Sequence, residues 1–324
     1  MNDLSETAIN SSDQIRIAIL DDYQGVALQL ADWTPLAQSA HIDVFHDHLS
    51  DPEAVARRLH PYDVVCVMRE RTPLRRELLE KLPNLKLIAS TGPRNASIDL
   101  QAAAERGIKV VHTGYASPPT VELTWALILA SARHITQESA ALRAGGWQHT
   151  VGEELANKTL GIIGLGNLGA LVAKVALAFG MHVIAWSQNL TADRAAAVGA
   201  SLVTKEELLR QADFVSIHLV LSARTKGLIG AAELALMKPS ARLVNTSRGP
   251  IVDEAALIDA LTAGRIAGAA IDVYDVEPLP AQHPYRKLEN VLATPHIGYV
   301  VRGLYEIFYR DTVANIVAWL DARQ

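Results

Sequence analysis

The stretch Leu160-Gly161-Ile162-Ile163-Gly164-Leu165-Gly166-Asn167-Leu168-Gly169 decides how this chain is read. A short apolar run suited to a strand ends at Gly164, and a helical pattern then continues through Phe179 to Gly180. Glycines spaced Gly164-x-Gly166-x-x-Gly169 at such a junction let the chain turn sharply, let backbone amides approach a pyrophosphate, and let helix and strand pack closely. The helix N-terminus adds a partial positive charge that favours an anion. In isolation the pattern is weak; placed after a strand and at the opening of a helix, it predicts a dinucleotide-binding unit.

Outward from this loop, β-branched runs alternate with helical patterns, the signature of βαβ units and a parallel sheet. Strands are expected at 15–20, 41–45, 64–68, 85–90 and 108–112, and in a second series at 159–164, 182–186, 213–219, 242–246, 268–273 and 291–294. Ser50-Asp51-Pro52-Glu53 reads as a helix start, with Ser50 as cap, a proline in the first turn and Glu53 bonding back. Gly107 reads as a helix stop. A single helix is expected over 120–144, between Pro118-Pro119 and Gly145-Gly146, roughly 37 Å long at 1.5 Å per residue, and a closing helix over 302–321.

With 324 residues, about two domains are expected at roughly 150 residues each. Thirty Lys plus Arg against thirty-five Asp plus Glu, mixed along the chain, give −5 and no basic stripe, so nucleic acid is not an expected partner. Cys66, the only cysteine, cannot form an intramolecular disulfide and reads as a core residue. Residues 1–13 show no secretory signal. The longest apolar run, 123–132, is half of what a membrane span needs, so a cytoplasmic protein without membrane association is expected. His41, His46 and His48 with Asp43 and Asp47 suggest a metal cluster, but Ile42, Val44 and Phe45 read as a strand among them. Exposed polar positions are the better account, and no metal site is expected. Trp125 and Leu127 read as buried helix positions, and Glu122 as structural.

The remaining chemistry collects where the second series of strands ends, the edge at which open α/β sheets bind ligands. After strand 182–186 stand Ser187, Gln188 and Asn189, with no carboxylate to bond a ribose and no arginine until Arg194, so NAD and NADP both stay open. Further on come Asn245-Thr246-Ser247-Arg248-Gly249, Asp272-Val273-Tyr274, Glu277-Pro278 and Pro295-His296-Ile297-Gly298. An arginine offers a charged planar fork for a carboxylate or a developing oxyanion, a histidine carries protons in either direction, and a carboxylate fixes its ring.

Through these motifs, in order and spacing, the chain resembles the D-isomer-specific 2-hydroxyacid dehydrogenases, from about residue 60 to the end. That family includes formate, D-lactate, D-glycerate and 3-phosphoglycerate dehydrogenases and the glyoxylate and hydroxypyruvate reductases. The resemblance implies an α/β fold of two doubly wound parallel-sheet domains, a Rossmann cofactor domain (119–296) inserted into a flavodoxin-like substrate domain (1–118 and 297–324). It implies reversible hydride transfer between NAD(P) and a small 2-oxoacid or 2-hydroxyacid, with Arg248, Glu277 and His296 as catalytic residues. Cofactor contacts carried over are Gly164, Gly166, Asn167, Leu168, Gly169, Ser187, Gln188, Asn189, His218, Thr246, Ser247, Arg248, Asp272, His296 and Gly298. Candidate substrate contacts are Arg69, Thr91, Gly92, Arg94, Arg248 and Tyr299. Pro93 and Arg94 depart from the family's glycine-rich substrate loop, and proline removes one amide donor. Arg94, Arg69 and Arg71 are read either as anchors for a second anionic group on the substrate or as solvated loop residues. Tyr299 is bulkier than the family's usual residue and is expected to narrow the pocket. A homodimer is implied. The narrower reading is a 3-phosphoglycerate dehydrogenase or a hydroxypyruvate or glyoxylate reductase; the rival of another class is a nucleotide-sensing interaction protein like the family's corepressors.

Overall fold

The computed structural model describes residues 14–323, which form two compact units: one up to Ala116 and again from Val301, the other Ser117–Val300. The expected absence of a signal at residues 1–13 lies outside the described residues. No helix among the described residues is long and apolar enough to cross a membrane.

The first unit carries strands β1 (Ile15–Ile19), β2 (Ala40–Val44), β3 (Val64–Val67), β4 (Leu87–Ser90) and β5 (Lys109–His112), all parallel in the order β2-β1-β3-β4-β5. Every residue of β3 and β4 is buried, as a parallel sheet covered on both faces requires. Cys66 lies within this buried sheet, where burial pushes its thiol up to about 12, so it is an inert core residue. Helices α1 (Pro52–Leu59), α2 (Arg76–Leu79) and α3 (Leu100–Glu105) cover the sheet, as does the closing helix Arg302–Asp321, which buries Leu304, Phe308, Val313 and Ile316. At α1 the cap is Asp51 rather than Ser50: its carboxylate accepts from the Glu53 and Ala54 amides. Glu53 turns instead to Lys81, so the expected reciprocal box does not form. Gly107 does close α3: at φ +69 it donates to Ala104 O, and Ile108 donates to Ala103 O at 2.9 Å.

The polar residues around β2 are tied to protein groups. Arg58 takes Asp47 in two contacts of 2.9 and 2.6 Å, and His41 bonds Asp43. His48 is partly buried rather than exposed, its Nδ1 2.9 Å from Asp21.

The second unit carries β6 (Thr159–Ile163), β7 (His182–Trp186), β8 (Ser201–Leu202), β9 (Phe214–Ile217), β10 (Arg242–Asn245), β11 (Gly268–Ile271) and β12 (Val291–Ala293), parallel in the order β12-β11-β10-β9-β6-β7-β8. From β6 the chain winds outward through β7 and β8, then returns to β9 on the other side of β6 and continues outward. The winding therefore reverses between β6 and β9, and a crevice opens beyond their ends. Helices α4 (Pro118–Ala132), α5 (Ile135–Arg143), α6 (Asn167–Ala178), α7 (Ala192–Ala196), α8 (Lys205–Gln211), α9 (Ala231–Leu234) and α10 (Glu254–Thr262) complete the unit. One core lies against α4 and α6, with Trp125, Leu127, Ile128 and Val172; the other lies against α8 to α10, with Leu208, Leu234 and Leu257.

The single helix expected over 120–144 is two helices. His134 takes a left-handed conformation at φ +50, and the carbonyl of Ala132 accepts a bond from the Glu153 amide at 2.8 Å instead of continuing the helical ladder. The returning chain also packs close, with Gly152 so near Arg133 that an added Cβ would meet its Cα at 3.0 Å.

Candidate active site and cofactor groove

The glycine loop sits at the reversal of winding. Gly164, leaving β6 at φ +103, is wedged against the end of β9: an added Cβ would lie 2.5 Å from His218 O. Gly169, in the first turn of α6, faces back onto the loop, where a Cβ would lie 2.2 Å from Gly164 O. Gly166 differs, since its Cβ would meet nothing within 4 Å. Two glycines thus bring strand and helix together, and the third leaves open space at the start of α6. The Leu165 amide is held by Ser187 Oγ at 2.9 Å, which fastens the loop to the end of β7.

Beside the loop is a cavity of about 460 Å³, walled by Gly164 to Gly166, by Ser187 to Leu190 after β7, and by residues of the loop after β9 that include His218 and Thr225. His218 Nε2 lies 2.8 Å from Ser216 Oγ, and burial pulls its imidazole down to about 4, so it is neutral at pH 7. The open space at Gly166, the approach of loop to helix and the adjoining cavity fit a dinucleotide. The loop glycines and the α6 amides would hold its pyrophosphate, and the cavity its adenosine end.

Three further segments meet along the same sheet edge. Asn245, ending β10, folds the next turn onto itself: its Oδ1 accepts from Ser247 N at 3.0 Å and its Nδ2 donates to Arg248 O at 2.9 Å. Thr246 Oγ1 is 2.8 Å from Thr124 Oγ1 of α4, and Ser247 Oγ donates to Ile217 O. Arg248 Nη1 donates to Ser247 O at 2.7 Å. Gly249 then presses on the backbone of Tyr274, where an added Cβ would lie 2.1 Å from its carbonyl carbon. Only glycine allows this approach, and it sets the Arg248 turn against the segment that carries Glu277.

Glu277 is held from both sides. Its Oε1 accepts from the Tyr274 amide at 2.9 Å, and its Oε2 lies 2.5 Å from His296 Nδ1. Both side chains are partly exposed, 29% and 22%. Because one ring nitrogen is committed to the carboxylate, Nε2 is the nitrogen left to serve a ligand. His296 itself adopts φ +52, a conformation that costs a non-glycine residue about 1–3 kcal/mol and persists only where its surroundings impose it. Those surroundings centre on Asp272, fully buried at the end of β11. Its Oδ1 accepts from Thr294 Oγ1 at 2.7 Å and Ile297 N at 2.8 Å, and its Oδ2 from Gly298 N at 2.8 Å. Burial pushes the Asp272 carboxyl above its ordinary range, against the pull of these donors. Asp272 thus clamps the turn on either side of His296. Tyr299, buried, stands edge-on to the His296 ring with centroids 5.4 Å apart.

Sequence reasoning gave no role to Tyr274, whose amide holds Glu277 and whose hydroxyl donates to Thr294 O at 2.7 Å, nor to Thr294, which holds Asp272. Tyr274 stands inside a motif quoted above and Thr294 directly before one, at the end of the strand expected over 291–294, which was the available signal.

In the first unit, the candidate residues gather after β3 and β4. Arg69, at φ +53, donates from Nη1 to Thr91 O at 3.0 Å, and its guanidinium lies 5.6 Å from the Tyr115 ring. Gly92 is packed beneath that guanidinium, and its amide is already bonded to Thr113 Oγ1 at 2.7 Å. The Thr91 amide is bonded to Val67 O. Arg94 is exposed. Arg71 is held by Asp21 O at 2.7 Å and lies over Tyr23, so it is part of the fold rather than a solvated side chain.

Residues 125–298 match the family model of the D-isomer specific 2-hydroxyacid dehydrogenase NAD binding domain. A hydroxypyruvate reductase of Thermotoga maritima is 39% identical over 87% of this chain and 91% of its own length. A D-3-phosphoglycerate dehydrogenase of Methanocaldococcus jannaschii is 43% identical over 72% of this chain, which spans only 45% of that longer protein. Among solved structures, one described as a putative D-3-phosphoglycerate dehydrogenase from Ralstonia solanacearum superposes with a TM-score of 0.89 at 38% identity, covering 96% of each chain. The motifs, the two parallel sheets and these relatives agree: the chain belongs to the D-isomer-specific 2-hydroxyacid dehydrogenase family.

Proposed function

We propose that this chain reduces a small 2-oxoacid to the D-2-hydroxyacid, and runs the reverse reaction, as an NAD(P)-dependent enzyme. The observation that carries the proposal is the 2.5 Å contact between His296 and Glu277, set beside the Arg248 turn on the sheet edge that bears the glycine loop. When bound, the nicotinamide supplies or accepts the hydride. Arg248 pairs with the substrate carboxylate and with the carbonyl oxygen on which negative charge grows. His296 Nε2 gives that oxygen its proton in reduction and removes it in oxidation, while Glu277 fixes the ring and balances the charge it acquires. Thr246, Ser247, Asp272 and Gly298 position these groups and the nucleotide. Arg69, Thr91, Gly92 and Arg94 remain the substrate candidates of the other unit, with Tyr299 limiting substrate size. The relatives named above favour hydroxypyruvate or phosphohydroxypyruvate as the first substrates to try.

The protein is further proposed to be a cytoplasmic homodimer. Ile135 and Leu142 of α5 and, beyond it, Trp147 and Val151 expose 55%, 59%, 75% and 93% of their surface, an apolar display of the kind that marks an interface. The catalytic proposal is tested with His296→Ala: turnover should fall about 10²- to 10⁴-fold while nucleotide affinity is kept. Unchanged turnover would defeat it.

A further inference from the structure

The cavity beside the glycine loop has a wall chemistry that the family match does not assign. In an NAD-selective pocket, the strand after the glycine helix ends in an acid that bonds the ribose 2′-hydroxyl and repels a phosphate there. Here β7 is followed by Ser187-Gln188-Asn189, and no Asp or Glu is among the described residues that wall the cavity. Two arginines are: Arg194 of α7 and Arg224 of the loop after β9.

Neither guanidinium is engaged in an ion pair or hydrogen bond among the described residues. The loop that carries Arg224 is tied to itself, with Thr225 Oγ1 donating to Val220 O at 2.7 Å and accepting from Ser222 N at 2.8 Å. Arg194 is carried by a helix capped through Thr191. Ser187 Oγ accepts from the Leu165 amide, and its own proton goes to no residue among those described. One hydroxyl donor and two uncommitted cations therefore wall a space free of carboxylates. That combination suits a dianion and gives a bare ribose hydroxyl nothing to donate to but neutral side chains.

We infer that Ser187, Arg194 and Arg224 form a 2′-phosphate site and that the nucleotide of this protein is NADP(H). The inference rests on the dinucleotide reading of the groove. The new donors are charge-assisted but partly screened by solvent, so their combined preference is expected to be roughly ten- to a hundredfold.

Calorimetric titration with 2′,5′-ADP and with 5′-AMP isolates the site from catalysis, and fluorescence titration with NADPH and NADH repeats the comparison on whole cofactors. The 2′-phosphorylated member of each pair should bind roughly ten- to a hundredfold more tightly, with the advantage shrinking between 50 mM and 300 mM salt, about as far as the Debye length contracts. Arg194→Ala with Arg224→Ala should bring 2′,5′-ADP down to the affinity of 5′-AMP while 5′-AMP changes by less than about threefold. Ser187→Asp should reverse the preference toward NADH, since an aspartate can still accept the Leu165 amide. Equal binding of the two mononucleotides by the unaltered protein, or a double variant that weakens both alike, overturns the 2′-phosphate site alone. Failure to bind any of the four nucleotides overturns the dinucleotide reading as well.

Discussion

Gly166→Ala and Gly169→Ala, two single-methyl additions three residues apart, should have different consequences for stability. At Gly169 the new Cβ would lie 2.2 Å from Gly164 O and 3.1 Å from Ile162 Cγ2. Ordinary contact needs about 1 Å more from a backbone oxygen, and Gly164 cannot retreat because it is already pressed on His218 O. Overpacking of this kind costs about 1–3 kcal/mol or more. At Gly166 the Cβ would meet nothing within 4 Å, and φ −90, ψ −156 is accessible to alanine. Stability should hold or rise by about 0.4–1 kcal/mol, because the unfolded chain loses freedom. The same methyl would occupy space that a pyrophosphate oxygen needs against the α6 amides. Losing one charge-assisted bond there costs about 1.5–3 kcal/mol, a weakening of roughly 10- to 150-fold. Urea denaturation measures the first quantity and nucleotide fluorescence titration the second. Gly166→Ala should lose affinity without losing stability, and Gly169→Ala should lose both. A Gly166→Ala protein that binds nucleotide normally would refute the role given to the loop.

Asp272→Asn keeps the shape of the side chain but turns one acceptor oxygen into a donor facing other donors, whichever way the amide lies. It should cost about 2–4 kcal/mol in urea denaturation and lower kcat/KM by loosening the turn around His296; an unchanged unfolding midpoint would contradict the clamp. His218, pulled from its ordinary 6.5 to about 4, makes stability depend on pH. Between those values the unfolded chain holds a proton that the folded chain does not, so stability should fall by up to about 3 kcal/mol as pH drops from about 6.5 toward 4. Denaturation of His218→Gln at pH 7.5, 5.5 and 4.5 should show a shallower dependence; equal slopes would count against the burial.

Strands were legible in the sequence to within a residue or two at most ends, because buried parallel strands are short β-branched runs bounded by turn residues. Among the described residues only the two-residue β8 escaped notice, being too short to show a pattern. The features that escaped elsewhere depend on distant partners. The break at His134 follows from the Glu153 amide capturing Ala132 O, and nothing in the local pattern between Pro118 and Gly146 records it. The choice of Asp51 over Ser50 turned on a one-residue shift between two good caps. His48 reads as an exposed position until Asp21 is seen beneath it. At the site, Arg248, Glu277 and His296 could be named from motifs, but their convergence depends on the contact of Gly249 with Tyr274 and on the Asp272 clamp, which only the fold reveals.

The most direct measurement is the absorbance at 340 nm when the protein is mixed with a reduced nicotinamide nucleotide and, in turn, glyoxylate, hydroxypyruvate, pyruvate, 2-oxoglutarate and phosphohydroxypyruvate, with chiral analysis of any product. At least one acid should consume the nucleotide mole for mole and yield the D-hydroxyacid. Tight nucleotide binding with no oxidation by any of the five, or an L-product, would contradict the account, and the first of these outcomes is the one a nucleotide-sensing interaction protein would give.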